Sequence, residues 1–143
     1  MIAVVDTSAL VELFTVDEPE LNEVLARCLA TIIPHVPDVI DAEFHHALRG
    51  LLLGKKISTE RAEHARALFA DTPKIRFPTC DFVDRVWSLR HNMGGYDACF
   101  IALAESLDVP LITCDDKQAG ASGHHAKVWP FRFTDTDTGT DEC

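Results

Sequence analysis

The stretch Gly94–Asp116, GGYDACFIALAESLDVPLITCDD, decides how the chain is built. After two glycines, residues Tyr96 to Leu107 carry apolar side chains on nearly every side of a helix, so that helix is expected to be buried. Val109 to Cys114 follows as a short apolar run of strand length. An aspartate, Asp97, opens the helix, and two more, Asp115 and Asp116, follow the strand. Carboxylates beside buried elements are costly unless something cationic meets them. These acids are therefore either satisfied within the fold or arranged to receive a cation.

Working outward, the same alternation recurs. Ile2 to Val5 is a short β-branched run, followed by DTSALVELF with helical periodicity and Asp6, Thr7 or Ser8 available as its cap. Glu18 to Ala30 is a second helix through Leu21, Val24, Leu25, Cys28 and Leu29, and TIIPHVP a short strand broken by Pro34 and Pro37. Asp38 to Leu53 is a long helix with the core stripe Ile40, Phe44, Ala47, Leu48 and Leu51, stopped at Gly54. Further helices are expected over Ser58 to Ala70 and Asp81 to His91, with strands at Lys74 to Phe77 and, weakly, Lys127 to Phe131. Parallel strands need crossover connections. The pattern predicts one α/β domain with a central, mainly parallel sheet of four to five strands between helical layers, a three-layer α/β/α sandwich.

The 143 residues suffice for one domain with a hydrophobic core. Apolar content of 47 % and charged content of 25 % are ordinary for a globular protein. The formal charge of −10 is uneven, because residues 134–143, TDTDTGTDEC, carry four acids and no base. That segment is expected to be a disordered, solvated tail, leaving residues 1–133 as the domain. Five cysteines without a CxxC pair fit a reduced compartment, and no signal segment or membrane-spanning run is present, so a cytoplasmic location is expected. An acidic chain binds nucleic acid only through a local basic patch or through metal ions that invert the sign of the site.

In open α/β sheets the functional crevice lies beyond the carboxyl ends of the strands. Asp6 follows the first strand and Asp115 the fourth, so both face one edge if those strands are neighbours. Each acid also has a structural reading. Asp6 suits an N-cap, Asp115 a turn, Asp97 a helix-dipole partner, and Glu43 a pair with His46. Asp41 borders the other edge of its helix stripe and reads as an acid outside the site. If Asp6, Glu43, Asp97 and Asp115 converge, their repulsion raises their pKa values or destabilises the fold unless divalent cations bind. Carboxylate oxygens are the ligands that suit Mg²⁺ or Mn²⁺, which commonly bridge to substrate phosphate.

At these residues the chain resembles PIN-domain proteins, and more narrowly the VapC-type toxins of type II toxin-antitoxin pairs. VVDTSALVELF, PDVIDAEFHHALRG and YDACFIALAESLDVPLITCDDK carry the resemblance in order and spacing, over nearly all of the chain except the acidic tail. The resemblance implies a PIN-like fold. It also implies that Asp6, Glu43, Asp97 and Asp115 form a catalytic, metal-holding quartet, with Asp116 as a possible further ligand and Ser8 and Thr113 as supporting hydroxyls. It implies a Mg²⁺- or Mn²⁺-dependent endoribonuclease acting on RNA, a homodimer, and neutralisation by a cognate VapB-type antitoxin.

For RNA contact the candidates are Arg49, Lys55, Lys56, Arg61 and Arg66, grouped after the Glu43 helix; their alternative is a solvated surface. His45-His46 and His124-His125 lack the spacing of a zinc site. An antitoxin helix is expected in an apolar groove between the early helices around Leu10 to Phe14 and the Glu43 helix. Two other readings compete. One is a phosphoryl-transfer domain with Asp6 as phosphoacceptor, although Thr7 and Ser8 replace the DxD pattern it needs. The other is a non-catalytic PIN-like binding module.

Overall fold

The computed structural model describes residues 1–16 and 23–131. The acidic segment 134–143, the boundary at residue 133 and the opening of the second helix lie outside the described residues. Five strands, β1 (Ile2–Val5), β2 (Ile33–Pro37), β3 (Ile75–Phe77), β4 (Leu111–Thr113) and β5 (Val128–Pro130), form one sheet in the order β3-β2-β1-β4-β5. Every pairing is parallel. The chain steps from β1 to β2 and β3 on one side, then returns to add β4 and β5 on the other. The β1/β4 junction is thus the topological switch point, where such sheets open a crevice at their carboxyl ends.

The helices are α1 (Thr7–Thr15), α2 (Glu23–Ala30), α3 (Ile40–Leu53), α4 (Thr59–Asp71), α5 (Val83–Ser88), α6 (Gly95–Leu107) and α7 (Asp116–Gly120). Helices α1, α3 and α4 pack on one another, while α6 lies across β1, β2 and β4 with α5 against it. The sheet is therefore flanked by helices as the periodicity predicts. Residues Ala98 to Ala104 of α6 are all buried, as an apolar-all-round helix requires. On the other face Phe44 is fully buried, stacked on Phe69 with centroids 4.1 Å apart and meeting Phe14 edge-on at 6.2 Å. These three rings join α1, α3 and α4 and fix the rotation of α3, which carries Glu43.

Four boundaries differ from the sequence reading for visible reasons. β4 stops at Thr113 because the Cys114 N–H turns to the Ser8 Oγ at 2.9 Å instead of continuing a ladder. α3 begins at Ile40, since Asp38 is engaged with Thr79, its Oδ1 accepting from both the backbone N–H and the hydroxyl. The helix expected over Asp81 to His91 divides into a 3-10 turn (Thr79–Phe82) and the short α5, with Phe82 outside helical geometry at φ −133°. The sequence reading places no helix after β4, where the five-residue α7 begins with Asp115 as its N-cap, accepting from the Lys117 N–H at 2.9 Å.

Candidate active site

Asp6 sits at the carboxyl end of β1, only 3 % exposed. It flanks α1 in the N-cap position, but its side chain makes no capping hydrogen bond. Instead the Ser8 hydroxyl donates to Oδ2 at 2.5 Å and the Thr113 hydroxyl donates to the same oxygen at 3.0 Å. Each hydroxyl also accepts a backbone N–H from the end of β4, Cys114 to Ser8 at 2.9 Å and Asp115 to Thr113 at 3.0 Å. A hydroxyl has one proton. Both protons are committed to Asp6, so the 3.2 Å approach of Ser8 Oγ to Thr113 Oγ1 is a convergence of two acceptor-loaded donors and not a further bond. The relay from amide to hydroxyl to carboxylate ties β1 to β4 and holds one Asp6 oxygen.

The other oxygen, Oδ1, is buried with no partner. An unsatisfied buried acceptor costs about 1–3 kcal/mol, and more when charged. Burial accordingly pushes the Asp6 carboxyl up from 3.8 to about 6, against the pull of Ser8 and Thr113, with Glu43 and Asp97 adding repulsion. Glu43, in the first turn of α3, is raised chiefly by burial and further by Asp97 and Asp115. Asp97, in the first turn of α6, is raised by burial and then by Asp115, with Lys117 opposing. The structure therefore brings Asp6, Glu43, Asp97 and Asp115 close enough to act electrostatically on one another, at the carboxyl ends of β1 and β4. Asp116 opens α7 on the exposed side of Asp115.

Among the described residues, no three His, Cys, Asp or Glu side chains already stand at the separation needed to ligate one metal directly. The donor set nevertheless suits a hydrated hard cation. Mg²⁺ keeps several waters and is typically held by one or two carboxylates, and Asp6 Oδ1 is a buried carboxylate oxygen that no protein donor satisfies.

Two further polar groups belong to this region and were not read from the sequence. The buried Thr7 hydroxyl closes no hydrogen bond of good geometry, yet it lies near enough to Glu43 to favour that carboxyl's charged form. Gln118 of α7 is 1 % exposed and reaches the Asp97 backbone. Neither neutral side chain carries a pattern that would single it out. Asp41 is outside the site, as its position on the stripe predicts. It holds Arg76 through two bonds of 2.7 and 2.8 Å, which keeps its carboxyl below the usual range.

Lys55, Lys56 and Arg61 line one polar cleft of about 540 Å³ at the α3–α4 turn, with Thr15, Ser58 and Thr59. Arg49 and Arg66 do not line it; Arg66 pairs with Glu63 at 3.0 Å. An apolar groove has the expected Leu10 to Phe14 side but not the Glu43 helix as its other wall. It runs between α1 and α2, about 410 Å³ lined by Leu10, Leu13, Phe14, Leu29, Ile32 and Pro34 among others, and no α3 residue lines it. The α3 face towards α1 is closed because Phe44 fills it.

The family model described as PIN domain matches residues 3–123. Ribonuclease VapC1 of Mycobacterium tuberculosis is 41 % identical over 101 residues, covering 70 % of this chain and 76 % of that protein. Ribonuclease VapC12 of the same species is 34 % identical over 125 residues, covering 87 % and 95 %. Among solved structures, VapBC2 from Rickettsia felis bound to a promoter DNA fragment superposes with a TM-score of 0.60 at 14 % identity, covering 90 % of this chain and 99 % of that one. The sarcin-ricin loop cleaving toxin VapC20 of Mycobacterium tuberculosis gives 0.60 at 18 % identity, covering 85 % and 97 %.

Proposed function

The chain belongs to the PIN-domain family and, within it, to the VapC-type ribonucleases, and from that premise we propose that it is a Mg²⁺- or Mn²⁺-dependent endoribonuclease, the toxin of a type II pair. The observation that carries the reading is Asp6, whose carboxylate has one oxygen clamped by two hydroxyls and the other buried, orphaned and surrounded by like charge. Such an arrangement is strained until a cation arrives.

Asp6, Glu43, Asp97 and Asp115 would hold the cation, some of them through water, with Asp116 at the rim as a possible additional ligand. When bound, the ion supplies Lewis-acid polarisation of the phosphodiester and lowers the pKa of the attacking water. Ser8 and Thr113 orient Asp6 by committing their protons to Oδ2, which would leave Oδ1 available to the ion. None of the carboxylates need act as nucleophile. The deep setting of Asp6, 3 % exposed, argues against its serving as a phosphoacceptor. The proposed place of action is the cytoplasm, as a homodimer restrained by a cognate VapB-type antitoxin. Among the described residues no helix is long and apolar enough to cross a membrane.

The test is incubation of purified protein with cellular RNA and Mg²⁺, Mn²⁺ or chelator, beside Asp97→Asn. Cleavage is expected with either ion, none with chelator, and none for the variant. Cutting that survives both chelator and Asp97→Asn would remove the metal reading.

RNA contact is proposed for Lys55, Lys56 and Arg61 in the α3–α4 cleft, with Arg49 and Arg66 on the surface beside it. Leu52 of the cleft is roughly 14 Å along α3 from Glu43, at 1.5 Å per residue, which spans roughly four nucleotides of stacked strand. The cleft would then grip backbone phosphates away from the cut. Lys55 has a left-handed backbone, φ 57°, so Asn is the tolerated neutral replacement. Combining Lys55→Asn with Lys56→Gln should raise KM on long RNA and make the log-affinity against log-salt slope shallower by about 1.4, at about 0.7 for each lost phosphate contact. An oligonucleotide too short to reach the cleft should be cut as before. Equal losses on long and short substrates would count against the cleft.

A further inference from the structure

Helix α7 follows Asp115 directly, and its third residue, Gln118, turns inward until it is 1 % exposed. Its Nε2 donates to the backbone carbonyl oxygen of Asp97 at 3.3 Å. That acceptor fixes which end of the amide is which, since only the nitrogen can donate. The bond spans the two segments that bring Asp97 and Asp115 to the crevice, the first turn of α6 and the turn after β4. No other described side chain-to-backbone hydrogen bond joins those two segments directly. The opposite atom, Oε1, is buried without a partner.

That combination is unusual for a residue kept only for packing. A buried amide oxygen without a donor costs about 1–3 kcal/mol, and an apolar side chain of similar size would avoid it. Folds retain such costs where a site needs them. We propose that Gln118 is a positioning residue, setting the separation of Asp97 and Asp115 by tethering the first turn of α6 to α7. This rests on the reading of those two carboxylates as parts of one cation site. Gln118 itself touches neither substrate nor ion; it acts through the backbone of Asp97.

Gln118→Met keeps the volume while removing both the tether and the orphaned oxygen, so a packing role and a positioning role predict different outcomes. The expected result is a Tm that is unchanged or raised, Mn²⁺ affinity by calorimetry lowered about tenfold, and faster amide exchange confined to the first turn of α6. Unchanged Mn²⁺ affinity together with unchanged exchange would overturn the proposal, as would a lowered Tm with exchange accelerated throughout the molecule. If the parent protein takes up no Mn²⁺, the metal reading fails separately, and exchange in the first turn of α6 alone decides the tether. Gln118→Leu, measured in the same way, serves if the methionine variant does not fold.

Discussion

Asp6→Asn is expected to lower metal-dependent RNA cleavage by at least about 10²-fold and, at pH 7, to leave a protein more stable than its parent. Loss of activity follows from removing the buried anionic oxygen that would hold the ion. The gain in stability follows from the ionisation of Asp6. Its carboxyl is raised from 3.8 to about 6 in the folded chain, equivalent to about 3 kcal/mol against the folded state once it is charged. Between those two values the folded state binds more protons than the unfolded one, so stability falls as pH rises through the window from 3.8 to about 6 and stays lower above it. Glu43 and Asp97, also raised, push in the same direction.

Asparagine keeps an oxygen for Ser8 and Thr113 and places an NH₂ where Oδ1 was, a buried donor without an acceptor that costs about 1–3 kcal/mol. At pH 4 the parent's own carboxyl proton, kept off the doubly bonded Oδ2, makes Oδ1 an equally unpartnered donor, so that cost is common to both proteins, whereas at pH 7 only the parent carries the buried charge. Thermal unfolding of both proteins across this pH range should therefore give curves that nearly meet at pH 4 and diverge towards pH 7, with the variant ahead. Mg²⁺ should raise the Tm of the parent and not of the variant. Parallel pH curves, or a variant that cleaves RNA normally, would show that Asp6 carries no such charge penalty or no such role.

Leu13→Glu is expected to weaken the antitoxin complex by at least about 10²-fold, roughly 3 kcal/mol, while cleavage by the isolated protein stays intact. Leu13 is partly buried at the edge of the α1–α2 groove, whose lining is apolar apart from Thr72. An amphipathic helix laid in that groove would cover Leu13, and a glutamate there would be stripped of water with no basic residue among the lining side chains to meet it. Leu13 itself stands more than a turn of α1 beyond Ser8, so the substitution leaves the hydroxyl relay in place. Titration of antitoxin into parent and variant checks the affinity. An unchanged value would place the partner on another surface.

Much of the fold was legible because it is written in apolar spacing. Ile2–Val5 and Leu111–Thr113 are continuous apolar or β-branched runs, as strands buried on both faces require. The unbroken apolar run Ala98–Ala104 of α6 could belong to nothing but an interior helix. What the spacing could not convey was decided by single polar bonds, such as the Cys114 amide that leaves the sheet for Ser8, or the five-residue α7 whose periodicity is too brief to register. The apolar groove differs from the expected one for a similar reason. Phe44 reads as a core residue, but only its contacts with Phe14 and Phe69 show that it closes the space between α1 and α3. At the site, the acids were visible as charges after apolar runs, and Asp41 was separable by its place on the helix stripe. Thr7 and Gln118 were not, because a neutral side chain acquires a role only from what lies beside it after folding.

The hydrogen bond from Thr113 to Asp6 joins residues 107 positions apart. Parallel strands brought together over such a separation pair late, since the long intervening segment must be closed first. On a ribosome adding 5–20 residues per second, roughly 5 to 20 s separate the two residues, and the emerging amino-terminal portion lacks the strand that completes its crevice. A protein that cuts RNA thereby leaves the ribosome with its crevice still open on one side, and the site closes only after the strand ending at Thr113 has emerged.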